Sequence, residues 1–563
     1  MIWSSLPVWV LYYVAALALL FLPARARSIL LVLVPIVGGL QTWGLEEGMV
    51  IAYHLLEYDL SIFRVDKLSL LFGYLFNLAA FIGFVYAFHV SDLKQQVAGV
   101  VYAGSALGAV FAGDLLTLFV FWELLAISSV FLIWARGTDR AYKAGSRYLI
   151  IQVFSGVLLL GGALAQYHQT GSLAFDYIGL EGLSAYLIFA AFGIKCAFPF
   201  VHSWLTDAYP EATPTGAIFL SAFTTKVAVY ALARGFPGTE ALIFIGAAMT
   251  CFPIFFAVIE NDLRRVLAYS MINQIGFMVV GIGIGTSLAL NGTVAHAFND
   301  VIFKGLLMMS MGAVLHRIGH VDGSNLGGLY KTMPKTTIFC IIGAASISAF
   351  PLFSGFISKS MIVTAAVTEG HTWLWMMLLF ASAGVFHHAG IKIPFFAFFA
   401  HDSGQRPKEA PTNMLIAMGM SAFLCIFIGS YPSFLYSLLP FGGDYWPYDF
   451  THVLTQCQIL FFSALAFVWL NQKGLYPPEL RSVVLDSDWF YRVWAKQIVN
   501  RVSSVIQVVD GRIRSIFMLL FAQFLGLVSR QHGEKGLLSR TWPSGSMVIW
   551  VSVLLAAYLI MYY

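Results

Sequence analysis

Seven ionisable side chains lie inside stretches otherwise apolar enough for hydrocarbon. They are Glu123 in LFVFWELLA, Lys195 in FGIKCAFPFVHSWL, Lys226 in SAFTTKVAVYALA, Asp300 and Lys304 in AHAFNDVIFKGLLMM, Lys359 in PLFSGFISKSMIV and Lys392 in HHAGIKIPFFAFF. Insertion scales make a charge at mid-membrane unfavourable by about 2.5–3.5 kcal/mol. Seven amount to roughly 20 kcal/mol, more than a typical net stability of about 5–15 kcal/mol. They must therefore pair and hydrate one another inside a bundle. Salt bridges that lock helices account for only part of them, because the lysines face few carboxylates, chiefly Glu123 and Asp300. Snorkelling to the interface stays open for Lys392, nine residues before His401. Burial and mutual repulsion disfavour the protonated amine, and an amine near that balance can take up and release a proton. Proton relay is the default functional reading of such intramembrane groups.

His296 precedes Asp300 by one helical turn, and Asp300 precedes Lys304 by another, so the three share one face. An imidazole there is suited to proton transfer near neutral pH, although a hydrogen-bonded polar stripe is the plainer alternative. His202, His387 and His388 fall near helix breaks or ends. No spacing of histidines and carboxylates suggests a zinc site. No phosphate-binding loop, dinucleotide fingerprint or haem-attachment motif occurs, so no cofactor is expected. Cys196, Cys251, Cys340, Cys425 and Cys457 are scattered without a CxxC pair, as packing residues would be.

The elements that position these groups are membrane helices. The chain is 59% hydrophobic and only 11% charged, against roughly a quarter charged in soluble proteins. Its net charge of +4 and lack of a basic tail give no sign of nucleic-acid binding. Apolar stretches near the spanning length of about 20 residues predict an all-α polytopic protein of about sixteen transmembrane helices. Three lie within residues 1–95, five in 96–239, five in 240–402, two in 403–475 and one in 546–563. Residues 476–545 form a linker and a basic amphipathic helix along the cytoplasmic interface, since the apolar run 515–528 is short for a span. Alternate loops carry fourteen Lys and Arg against Arg64 and Arg234 in the others, which predicts the N-terminus outside. Pro199 follows Lys195 by one turn, and Pro351 and Gly355 precede Lys359, which predicts broken helices within 183–209 and 336–367. Lys195 to Lys359 is 164 positions and Lys226 to Lys392 is 166. Those offsets suggest two five-helix repeats, inverted because five is odd.

The stretches GDLLTLFVFWELLAISS (113–129), residues 192–234, NDLRRVLAYSMINQIGFM (261–278), HAFNDVIFKGLLMMSMGAVLHRIG (296–319) and residues 326–362 carry a family likeness. Across about 95–400 the chain resembles the antiporter-like subunits shared by respiratory complex I, membrane-bound hydrogenases and Mrp-type cation/proton antiporters. The resemblance implies that Glu123 pairs with Lys195 of a broken seventh helix, and that Lys226 is the eighth-helix lysine of a central axis. It further implies that Lys304 is the eleventh-helix lysine and Lys359 the terminal lysine at the twelfth-helix break. Protons would enter near the seventh and eighth helices and leave near the twelfth. Leu220 stands where some complex I members have histidine, which is closer to the D-type member of Mrp antiporters. Asp300 stands where histidine is frequent, and its carboxylate could pair Lys304 or offer a hard oxygen site to Na⁺.

The expected function is a proton-translocating subunit of an Mrp-type Na⁺/H⁺ antiporter in a prokaryotic cytoplasmic membrane, a transporter rather than an enzyme. Its partners would be other membrane subunits, the lipid bilayer, H⁺ and, if a cation is exchanged, Na⁺, with no nucleic acid. A moving Glu123–Lys195 contact would gate Lys226. The alternatives are a proton-pumping subunit of a complex I-like or hydrogenase complex, or the membrane partner of an inorganic-carbon uptake system.

Overall fold

The computed structural model describes residues 6–56, 58–476, 480, 484–536 and 539–563. Residues 1–5 and 57 of the first predicted segment lie outside these, as do 477–479, 481–483 and 537–538 of the predicted linker region. The described chain is helical and falls into two compact units, one running to Asp486 and one over Ser487–Tyr563.

The larger unit opens with α1 (Val8–Leu19), α2 (Ala24–Trp43), α3 (Lys67–Tyr86) and α4 (Leu93–Phe111). Between α2 and α3 a hairpin, β1 (Val50–Leu55) with β2 (Tyr58–Arg64), departs from the all-α expectation. Its cause is local: Val50, Ile51, Tyr53, Tyr58, Ile62 and Phe63 are β-branched or aromatic, types that favour a strand.

Then come α5 (Leu115–Trp134), α6 (Asp139–Thr170), α7 (Gly182–Lys195), α8 (Ser203–Ala208), α9 (Gly216–Ala222) and α10 (Thr224–Gly235). A second series follows with α11 (Ala241–Ile259), α12 (Leu263–Ile284), α13 (Ser287–Ile318), α14 (Pro334–Ile347), α15 (Ser354–Thr368) and α16 (Thr372–Val385). The two series share local rules. Asp114 caps α5 and Asp262, 148 positions later, caps α12, each side chain accepting from backbone N–H groups of the first turn. The 32-residue α6 and α13 both end on a left-handed glycine, Gly171 and Gly319, again 148 apart.

The breaks after α7 and α14 also match. Ala197 and Phe200 have φ of 62° and 70°, and Ala349 and Leu352, 152 positions on, have 58° and 73°. Phe198 N–H donates to the Gly193 carbonyl and Phe350 N–H to the Ala345 carbonyl, at 3.0 and 3.1 Å. Between them Pro199 and Pro351 withhold a donor. The sequence cause is one tetrapeptide pattern, AFPF and AFPL. The spacing of the series is therefore 148–152 positions, not the 164–166 of the lysines. The lysines miss that register because Lys195 ends the helix before its break, whereas Lys359 lies in the helix after its own.

Among the described residues thirteen helices are long and apolar enough to cross a membrane, with α1, α7 and α14 as shorter apolar helices. The expected set of sixteen differs in detail. α4 is not among the thirteen, because Lys94, Gln95 and Gln96 dilute its apolar content, whereas Phe490–His532 is. Burial grades outward from α9–α10, α12 and α13, the most enclosed helices, to Phe450–Gln472, the least enclosed span of the larger unit. Lipid supplies no hydrophobic drive between helices, so close packing by small residues must hold them. At Gly276 of α12 an added Cβ would lie 2.6 Å from the Thr250 backbone nitrogen of α11.

The smaller unit holds helix Ala495–His532 and helix Ser544–Tyr562, with no buried residue in either. At 38 residues the first is about 57 Å long, close to twice the hydrocarbon thickness of about 30 Å.

Candidate functional site

The site begins on α5. Trp122 and Glu123 are held there because Trp122 Nε1 donates to Ser155 Oγ of α6 at 3.0 Å. That hydroxyl donates on to the Ala191 carbonyl of α7 at 2.7 Å. Lys195, fully buried at the end of α7, donates from Nζ to the Trp122 carbonyl at 2.7 Å and lies 4.4 Å above the Trp122 ring. No Glu123–Lys195 ion pair forms within 4.0 Å. Glu123 instead lies against α6 at Gly156, where an added Cβ would fall 1.4 Å from its Oε1. That oxygen has no hydrogen-bond partner. The pair expected from the family likeness is thus open here, with the ammonium on a backbone carbonyl.

Lys226 on α10 meets Asp300 on α13, Nζ to Oδ2, at 2.5 Å, with both side chains fully buried. The lysine also donates to the Ser221 carbonyl at 3.2 Å. Asp300 therefore pairs across helices, and not with Lys304 one turn along its own. A Na⁺ ion at that carboxylate would have to displace an ammonium. Lys304 donates to Ser270 Oγ of α12 at 2.8 Å. His296 bridges two helices, with Nδ1 3.0 Å from Ser358 Oγ of α15 and Nε2 3.1 Å from Gln274 Oε1 of α12. Gln274 donates to Asn273 Oδ1 at 2.7 Å. Next to Ser358, Lys359 donates to the Ile347 carbonyl at 2.8 Å, an acceptor freed by the break after α14. Its Nζ lies 5.1 Å over the Phe277 ring.

Lys392 is fully buried and does not snorkel. It donates to the Val258 and Glu260 carbonyls at 2.7 Å and to that of Ala257 at 3.3 Å. These are the last carbonyls of α11, where a cation complements the helix dipole. It sits beside the π-helical segment Phe386–Ile391, in which His388 is buried with neither ring nitrogen hydrogen-bonded. His387 stacks on Tyr476 with centroids 5.3 Å apart. His202 lies 3.0 Å from Asp486 Oδ2, which also accepts from Tyr269 OH at 2.7 Å.

The structure thus brings Lys226, Asp300, Lys304, His296 and Lys359 together across α10, α12, α13 and α15. Glu123 and Lys195 stand at the α5–α7 end, and Lys392 caps α11 next to the buried His388. Sequence reasoning missed the hydroxyl and amide members, Ser270, Gln274, Ser358 and the carbonyl of Trp122. Such groups have no charge to betray them in an apolar run. Burial leaves four amines of this line against two carboxylates, Glu123 and Asp300. Lys195, Lys304 and Lys359 rest on carbonyls and a hydroxyl, which accept from an ammonium and can release it, and Lys226 rests on the Asp300 carboxylate.

The fold is a bundle of apolar helices with two broken members and a buried line of amines and carboxylates. Residues 112–385 match the family model described as NADH:quinone oxidoreductase/Mrp antiporter, TM. The D-type component of a Na⁺/H⁺ antiporter from Alkalihalophilus pseudofirmus is 31% identical over 358 residues, 59% of this chain and 72% of that protein. The A-type component from the same organism is 30% identical over 430 residues, 66% of this chain. The chain spans about half of that larger relative, 52% of its length. The solved membrane-bound sulfane sulfur reductase, an archaeal respiratory membrane complex, contains a chain of the same fold. Its TM-score is 0.71 at 19% identity, covering 99% of this chain and 100% of that one. The chain belongs to the NADH:quinone oxidoreductase/Mrp antiporter membrane-subunit family and is a multi-pass membrane protein.

Proposed function

We propose that this chain is the proton-translocating subunit of an Mrp-type monovalent cation/proton antiporter, with Na⁺ as the exchanged ion, assembled with other membrane subunits in a prokaryotic cytoplasmic membrane. The observation that carries the reading is the buried Lys226–Asp300 pair, which ties the first helix series to the second at the centre of the bundle. The recurrence of elements at 148–152 positions supports two five-helix repeats, inverted relative to one another. The basic loops support an N-terminus on the outside, and the length of helix Ala495–His532 suits a position along the interface.

Protons enter beside Glu123 and Lys195, cross through Lys226, Asp300, Lys304 and His296, and reach Lys359. Lys195 moves between its Trp122 carbonyl and Glu123. When it pairs with Glu123 its charge is neutralised locally, and Lys226 holds its own proton more readily. When it returns to the carbonyl, Lys226 passes its proton on. Lys392 holds the end of α11 in place. Relatives named as A-type and D-type components of Na⁺/H⁺ antiporters support cation exchange as the coupled process.

The test is exchange in inverted vesicles that contain the full complex. Addition of Na⁺ to vesicles holding an acid interior should collapse the pH gradient, and vesicles lacking this chain should not respond. A complex that co-purifies with quinone-reactive or iron–sulfur subunits, and leaves the gradient untouched by Na⁺ or K⁺, would replace antiport with redox-driven pumping.

A further inference from the structure

Beside Lys359 a cavity of about 400 Å³ extends along α15 to the start of helix Phe450–Gln472, and its lining includes Ser360, Thr364, Thr368, His452 and Thr455. Its inner end is the ammonium of Lys359 and the break after α14. There Gln456 donates to the Ser348 carbonyl at 3.0 Å. Its outer end is a connected set of polar groups. Thr364 Oγ1 lies 2.9 Å from His452 Nε2 and 3.2 Å from Tyr445 OH. His452 Nδ1 lies 2.8 Å from Asp449 Oδ1, and that carboxylate is half exposed. The His452 backbone N–H donates to the same carboxylate at 2.7 Å and helps hold it below the usual carboxylate range, so it stays ionised. The groups facing His452 are thus Asp449 from its own helix start, Tyr445 from the preceding loop and Thr364 from α15, with Lys359 further in on the same cavity wall. α16 adds Thr372 and Trp375, which do not titrate.

We propose that this cavity is an aqueous vestibule and that His452, positioned by Asp449, is the last proton-carrying side chain between Lys359 and solvent. The proposal rests on the antiport reading for the direction of use, and on geometry alone for the vestibule. In the tautomer protonated on Nδ1, Nε2 is free to accept from the Thr364 hydroxyl that lies 2.9 Å away. The Lys359 ammonium loses a proton to vestibule water and becomes an amine. Water passes a proton to the Thr364 hydroxyl oxygen as that hydroxyl gives its own proton to Nε2. The resulting imidazolium releases the Nδ1 proton to water at Asp449, and exchange of tautomer restores the acceptor. One proton enters and one leaves, with no net charge stored.

Two measurements on the full chain in its native membrane decide it. In the first, Thr368→Cys and Thr455→Cys are made in a background with the exposed Cys457 replaced by serine. Each is treated from outside with a charged, membrane-impermeant methanethiosulfonate. Both should label, whereas Phe461→Cys, on the exposed side of the same helix, should not. Absence of labelling at both cavity positions overturns the vestibule. In the second, proton flux is followed against external pH. His452→Gln keeps a group able to bond Thr364 but cannot carry a proton. It should lower flux at least tenfold and flatten the dependence on external pH, and Asp449→Asn should move that dependence with a smaller loss. An unchanged profile in His452→Gln overturns the role of the histidine. A wild-type complex that moves no protons defeats the antiport reading and the His452 role together, while labelling still decides the vestibule.

Discussion

Lys226 and Asp300 approach to 2.5 Å between α10 and α13 with neither side chain reachable by solvent. Breaking a buried pair by removing one partner is destabilising by about 3–5 kcal/mol, whereas replacing both by apolar groups is often neutral. Asp300→Asn should therefore lower the thermal midpoint of the purified complex markedly. The double variant Lys226→Met with Asp300→Leu should recover most of that loss while remaining inactive in transport. Equal midpoints for Asp300→Asn and wild type would mean that the pair holds nothing together.

Gly156 is the space in which the Glu123 carboxylate lies, since a Cβ would fall 1.4 Å from Oε1. Gly156→Ala should displace the carboxylate and reduce antiport as far as Glu123→Gln does. Alanine is the better helix former by about 1 kcal/mol, so assembly should not suffer. Transport assays beside gel-filtration profiles check both halves, and an active Gly156→Ala complex would remove Glu123 from the entry site.

A structural role for Lys392 can be told apart from a transporting one. It donates to three carbonyls at the end of α11, and each group left unsatisfied in a dry interior loses about 1–3 kcal/mol. Lys392→Met should lower the thermal midpoint, with transport falling only in proportion to folded protein. Lys304→Met should do the reverse, with flux lost and most stability kept. A fully folded Lys392→Met complex without flux would return Lys392 to the relay.

The broken helices store strain at Ala197, Phe200, Ala349 and Leu352, all at positive φ. Such residues are strained by about 1–3 kcal/mol each. Ala349→Gly should leave the complex intact or firmer, whereas Ala349→Val should impair it, because a β-branched side chain resists that conformation. Yield and melting of the two variants give the comparison, and equal behaviour would mean the break is not held in this geometry.

Much of this arrangement was legible in the residues. A charge in an apolar run is conspicuous, so Glu123, Lys195, Lys226, Asp300, Lys304 and Lys359 stood out. Proline beside a lysine marked both breaks. Partner choice did not show, because an i,i+4 spacing places Asp300 and Lys304 on one face without saying which helix fills the other side. The register of the two series was hidden for a related reason. Lysine positions answer to the break they serve, whereas the caps Asp114 and Asp262 and the AFP turns follow the backbone. The hairpin at Val50–Arg64 did not show among the long apolar runs, since strands of 6 and 7 residues leave no such run.

The central claim is that protons cross the bundle on buried amines tied together by Lys226 and Asp300. Its most direct measurement is Na⁺-driven collapse of the pH gradient in inverted vesicles carrying Lys226→Met. The complex must first be shown to be present and correctly assembled. No collapse above the background of vesicles without the chain is predicted; collapse at the wild-type rate would contradict the account.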